Sequence, residues 1–183
     1  MIVRAVDPSK LDARSFVQLL EVFDALAKAD TGIDLSTVET ATLVTLIGRA
    51  SNEQLAALGQ SPAARNLVFG EVFLRMKQHL RADRAASADG VIRWRISGGT
   101  GEDGYDRFHT VISSGDCLTT VECDEQPLVT LTLTPVDFLR LTTGTGSVAT
   151  MVAARRLKIR GDLRYGIRIS GLFDIPRPRK KTA

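Results

Sequence analysis

Gly99 to Gly104 read GTGEDG, which satisfies the G-x-G-x-x-G spacing of a dinucleotide-binding loop to the letter. That chemistry needs a helix directly after the glycines, so that its first backbone amides can meet a pyrophosphate. Tyr105 to Ile112 instead alternate as a strand does, and Glu102 and Asp103 would repel phosphates, so a hairpin turn is expected here. TGTGS, Thr143 to Ser147, lacks the lysine of a P-loop and reads as the break between two helices. His79 falls on a helical pattern and His109 on a strand, with no G-x-S-x-G, no metal-ligand spacing and no Cys-His pairing. Asp103 and Asp106 flank a turn, where carboxylates commonly serve as solvated caps. No catalytic residue, metal or cofactor is expected.

Cys117 and Cys123 are the only cysteines. Six apart on one strand they would lie roughly 20 Å from each other, too far for a disulfide, so buried free thiols in a reducing compartment are expected. SNEQLAALGQSPAARNLVFGEVF has the outline of a helix-turn-helix. Its second helix, however, presents Leu67, Val68, Phe69, Val72 and Phe73, which are core residues, and leaves only Arg65 and Asn66 to read bases.

The elements that must position these residues change character along the chain. In the first half, Phe16, Leu19, Leu20, Phe23 and Leu26 repeat at helical spacing, with Gly32 as a stop. Ser36 with Glu39, and Ser51 with Gln54, have the spacing of capping boxes that open two further helices, the first of them ended by Gly48. Ser61 and Pro62 start the clearest helix, with a stripe of Phe69, Val72, Phe73, Met76 and Leu80. From residue 91 the period becomes two: VIRWRIS, YDRFHTVIS, CLTTVEC and LVTLTLT are expected as four strands in meander order. Thr134 then caps a helix with Pro135 in its first turn, ended by Gly144, and a short helix carries Val148, Met151 and Val152. Helices followed by strands point to an α+β fold.

The chain has 183 residues, enough for one sizeable core, and its 44% hydrophobic and 25% charged content is that of a globular protein. Neither a signal-peptide core nor an apolar run long enough to span a bilayer is found, so a soluble, cytoplasmic protein is expected. The 24 basic residues exceed the 21 acidic ones only through Arg177, Arg179, Lys180 and Lys181; without these four the balance is 20 against 21. The excess charge is therefore read as a solvated, disordered tail over residues 177–183, and nucleic acid is not favoured as a partner.

LTLTPVDFLRLTTGTGSVATMVAARRLKIRGDLRYGIRISGLFDIP, from Leu131 to Pro176, resembles the sterol carrier protein type 2 family. The likeness lies in an apolar strand, a Pro-Val-Asp-Phe helix start, a Thr-Gly stop, a Leu-Lys-Ile-Arg-Gly-Asp strand end and a closing Leu-Phe. It covers residues 90–176 well, with residues 51–89 similar to the lead-in helices of bacterial members. Residues 1–50 are left as an N-terminal helical extension of unassigned role. The resemblance implies an α+β fold in which a mostly antiparallel five-stranded sheet and its covering helices enclose an apolar cavity for a sterol, fatty acid or acyl thioester. It also implies a strand from Leu157 to Arg160, followed by a helix with Asp162 as N-cap that closes the cavity. The alternation of Leu157, Ile159, Leu163, Tyr165, Ile167 and Ile169 leaves a hairpin open as the alternative.

On this reading Trp94, Phe108, Leu131, Leu133, Phe138, Met151, Val152, Ile167, Leu172 and Phe173 are the candidate ligand-binding residues of a non-catalytic carrier. Each could equally be plain core. The alternatives are an accessory subunit presenting a lipid to a partner enzyme, or a regulatory protein without ligand. In either case residues 1–50 could dock a protein partner or a second copy. Gly166, in mid-helix, is expected to make the closing helix marginal, so that Gly166→Ala stabilises it where the site has room for a methyl group.

Overall fold

A computed structural model describes residues 7–176, which leaves the basic tail outside the described residues. Helix α1 (Ala13–Lys28) is opened by Asp12, whose carboxylate accepts from the Ser15 amide at 2.7 Å. Helices α2 (Thr40–Arg49), α3 (Asn52–Gln60) and α4 (Pro62–Gln78) follow. The expected box at α3 forms in full, Ser51 and Gln54 each satisfying the other's backbone amide. The box expected at Ser36 and Glu39 does not form. The Asp34 side chain takes the Ser36 and Thr37 amides, which winds Leu35–Thr37 into a 3₁₀ turn and delays α2 to Thr40. A short helix, α5 (Ala82–Ala85), leads to the sheet.

Strands β1 (Gly90–Ser97), β2 (Tyr105–Ser113), β3 (Asp116–Thr120), β4 (Val129–Leu133) and β5 (Lys158–Gly161) form one sheet in the order β3-β2-β1-β4-β5. GTGEDG is the turn of the β1–β2 hairpin, as its surroundings implied. The meander stops at β3, however: β4 crosses to the far side of β1 and pairs with it in parallel, Trp94 opposite Leu131. Alternation along a strand says which face is buried but not which neighbour it takes. In this position β4 is flanked on both edges, with Val129, Leu131 and Leu133 all buried.

Helices α6 (Pro135–Thr142), α7 (Val148–Ala153) and α8 (Leu163–Arg168) complete the chain, α8 running into a 3₁₀ turn at Ile169–Leu172. Thr134, Ser147 and Asp162 each cap the following helix through a side-chain oxygen. Phe16, Leu20, Leu35 and Leu43 from the first fifty residues belong to the same buried cluster as Trp94 and Leu131. The N-terminal helices are thus built into the core.

The segment after β5 is helical, which removes the hairpin alternative. Gly161 has φ 93°, and a Cβ there would stand 2.3 Å from the Leu128 carbonyl oxygen, so the turn into α8 requires glycine. Gly166 is a glycine for a different reason: a Cβ would lie 2.7 Å from Ile159 Cγ2 and 3.2 Å from Val129 Cγ2. Both neighbours are β-branched and stiff, so the helix needs the missing side chain to lie against β4 and β5. This reverses the expectation for Gly166→Ala. That variant should lose about 1–3 kcal/mol of unfolding free energy in urea titration, through overpacking. Asp162→Ala should lose about 1 kcal/mol by the same measurement, because the Tyr165 amide loses its acceptor at 2.9 Å.

Candidate functional site

Between the N-terminal helices and the end of the chain lies an apolar cavity of about 70 Å³. Helix α2 supplies Leu43, Val44 and Ile47, α4 supplies Val72 and Met76, and β1 supplies Trp94. Leu141 of α6 and the terminal residues Ile169, Phe173, Ile175 and Pro176 close it. Its polar wall is made of Thr40, Arg75, His79, Thr142, Thr143 and Ser170. Arg75 is buried, and its guanidinium is committed to the protein itself. It bonds the carbonyls of Leu35 at 2.8 Å and Val38 at 2.9 Å and pairs with the Glu71 carboxylate. The hydroxyls of Thr142 and Thr143 are turned back onto carbonyls one helical turn earlier, at 2.9 and 2.7 Å. The remaining surface suits an alkyl chain or ring and offers little to an ionic group.

The terminal wall is tied down by backbone. Asp174 donates its amide to the His79 carbonyl at 2.7 Å, and Arg81 donates to the Leu172 carbonyl at 2.8 Å, around an isolated bridge between Leu80 and Phe173. Arg84 adds a side-chain bond to the Gly171 carbonyl at 3.0 Å.

Of the residues singled out in the sequence, Trp94 and Phe173 line this cavity. Trp94 is 1% exposed, and its indole donates to Thr110 Oγ1 at 3.0 Å. Phe138 joins Phe69, Phe73 and Trp94 in a cluster of edge-on and tilted rings, and with Leu131 and Leu133 it fills the packed core. Phe108 stacks on Phe73 at 4.5 Å and lines a separate groove between α4 and β3. Met151 borders a polar groove beside Arg140 and Arg156, and Val152 packs at the core margin. Leu172 is buried without lining the cavity, and Ile167 is 46% exposed on the outer side of α8. The wall from α2 was open to sequence reasoning, since Leu43, Val44, Leu46 and Ile47 form one broad apolar side of a helix and all four are buried.

Several other chemistry-bearing residues are occupied in the fold. Arg65, the would-be base reader, turns inward to the carbonyls of Gly59, Ile96 and Ser97 and pairs with Asp106. Burial pushes the Cys117 thiol up to about 11, which keeps it protonated and a poor nucleophile. His109 accepts from Arg93 Nε at 2.9 Å through Nε2. Among the described residues no group of three or more metal-ligating side chains comes together.

The sequence pattern of the SCP-2 sterol transfer family matches residues 69–174, and the chain belongs to that family. A comparison with curated protein sequences finds no match. Among solved structures, sterol carrier protein 2 from Yarrowia lipolytica is similar at 16% identity, covering 59% of this chain and 88% of that one with a TM-score of 0.47. Palmitated SCP2L2 from Aedes aegypti is 16% identical over 55% of this chain and 88% of its own, at 0.42. The stereoselective inverting sec-alkylsulfatase Pisa1 from Pseudomonas sp. is 17% identical, at 0.50. That match takes in 91% of this chain but 31% of the sulfatase, so this chain spans about a third of that enzyme's length, and the helices ahead of Phe69 share its fold.

His109 yields a prediction about acid stability. It is 5% exposed, and burial, followed by the nearby charges of Arg93 and Arg107, holds its pKa below the ordinary value against a smaller opposing pull from the Val121 backbone. The unfolded chain therefore binds the proton more readily than the folded one. The stabilisation is complete above about pH 6.5 and is lost as pH falls from there toward the lower folded-state pKa. Urea midpoints measured between pH 7.5 and 5 should fall, and the slope should be shallower in His109→Gln.

Proposed function

We propose that this chain is a binding or transfer protein for a hydrophobic molecule, a fatty acyl chain or sterol, held between α2, α4 and residues 169–176, and that it acts without catalysis. The observation that carries the reading is the cavity itself: an apolar space walled by Leu43, Val44, Met76, Trp94, Ile169 and Phe173, in a member of the SCP-2 sterol transfer family. Each methylene moved from water into such a site is favourable by about 0.8 kcal/mol. At about 70 Å³ the cavity is smaller than the roughly 300–1,000 Å³ of clefts that enclose whole ligands. Uptake therefore requires one wall to move. Residues 169–176 are the candidate, since they are joined to the end of α4 by a few backbone bonds while α8 is seated on the sheet through Gly166.

A second reading is favoured by the likeness to Pisa1, in which this fold forms part of a longer enzyme chain. The protein would then present its hydrophobic ligand to a catalytic partner. Both readings require the cavity.

Titrating saturated fatty acids from octanoate to stearate against Trp94 fluorescence should give affinity that rises with chain length. Val44→Phe, which extends a side chain into the cavity, should weaken binding tenfold or more. Flat affinity along the series, or full binding by the variant, would remove the cavity from the function. Hydrogen exchange at the Arg81 and Asp174 amides should slow when stearate is added, because both report on the terminal wall.

A further inference from the structure

The two edges of the sheet are built differently. Strand β5 is four residues long and carries Lys158 and Arg160, both exposed, the kind of short charged edge that resists pairing with another strand. At the other edge, Cys117 to Val121 hold neither charge nor proline, and β3 keeps an unbroken register with β2. Among the described residues eight large aliphatic side chains are exposed, and three of them, Leu74, Leu118 and Val121, meet at this edge. They border a groove of about 290 Å³ between α4 and β3, with Phe73, Phe108 and Cys117 in its walls. A single exposed aliphatic side chain is ordinary, but a cluster beside an open strand marks a contact surface.

The register says which backbone groups are open. Ser113 and Asp116 close a two-residue turn at Ser114 and Gly115, both with positive φ, so they form a bonded pair. Bonding then alternates along the strand: Asp116, Leu118 and Thr120 point their amides and carbonyls at β2, and Cys117 and Thr119 point theirs away from the sheet. The Cys117 amide is covered by the Asp116 carboxylate at 2.8 Å. The Cys117 carbonyl and both backbone groups of Thr119 are left to face solvent.

We infer that two copies of this chain join through their β3 edges about a two-fold axis at Thr119, so that two five-stranded sheets become one of ten. Antiparallel pairing there lets each Thr119 amide donate to the partner's Thr119 carbonyl and uses the open Cys117 carbonyl as a further acceptor. Counting outward from the axis sets Val121 opposite the partner's Cys117. The side chain that is 66% exposed in one copy is thereby placed against the groove wall of the other, and symmetry repeats the contact. Counting one residue further sets Asp116 opposite the partner's Glu122. Lys77, bonded to Asp116 at 2.9 Å and more than half exposed, stands where one ammonium serves both carboxylates. A second copy is the occupant whose own edge supplies the donor, acceptor, aliphatic knob and opposite charge at this spacing. The inference does not rest on the cavity reading.

The test is sedimentation equilibrium of the full chain with no lipid added, which should show a dimer that dissociates on dilution. Val121→Lys should raise the dissociation constant about tenfold or more, because it places a charge in an apolar joint. Thr119→Pro removes the central amide at a position where the fold of one copy does not use it, and should act in the same direction. Leu163→Lys, comparably exposed on α8, should leave the dimer unchanged. Hydrogen exchange checks the register: the Thr119 amide should exchange slowly where the dimer prevails and fast after dilution. If circular dichroism shows Thr119→Pro misfolded, Val121→Lys and the exchange rates decide. A monomer at every concentration up to millimolar would overturn the inference and leave the edge to a strand from another protein. A dimer that V121K leaves intact would also overturn it, as would one in which the Thr119 amide exchanges as fast as in the monomer.

Discussion

Arg75 is the residue on which the arrangement of the cavity depends. Its guanidinium is buried between α4 and the turn ahead of α2, where it satisfies the Leu35 and Val38 carbonyls and is itself balanced by Glu71. Burial holds its pKa below the ordinary arginine value, with Asp34 opposing that drop, and the group stays charged. An arginine in such a position is strongly stabilising only while every partner is present, since removing one leaves a buried charge or an orphaned carbonyl. The same device recurs at Arg65, which ties α4 to the end of β1. Arg140 uses it to reach the Gly48 and Ala50 carbonyls at the end of α2, at 2.9 and 2.7 Å. Helix α2 is therefore held at both ends by arginines from other elements, and this is how a helix outside the matched family segment comes to form a cavity wall.

Local chemistry was legible in the sequence because it acts over three or four residues. The box at Ser51 and Gln54, the Thr134-Pro135 helix start and the Asp162 cap all follow from side-chain oxygens meeting amides three positions on. Ser36 failed the same logic because Asp34, two residues earlier, carries a stronger acceptor. The α+β class followed from the change of period near residue 91, and the family from the segment Leu131 to Pro176 that contains Gly161 and Asp162.

What was not legible involves partners distant in sequence. No local pattern says that β4 will skip β3 and lie beside β1, or that a glycine in α8 faces two branched side chains. Nor does an arginine reveal in sequence that its partners are carbonyls about forty residues away. The candidate site shows the same limit. Trp94 and Phe173 reach the cavity, whereas Leu131, Leu133 and Phe138, with equal apolar character, fill solid core. Apolar side chains are recruited to a cavity or to packing by geometry alone.

The walls of the cavity are far apart in the order of synthesis. Leu43, Val44 and Ile47 leave the ribosome long before Leu141, and longer still before Ile169 and Phe173, which cover the same space. During that interval the apolar side of α2 has only its helical neighbours for shelter. A nascent chain of this protein therefore carries an exposed greasy strip late into translation, at the stage when chaperone capture or misassembly competes with completion of the fold.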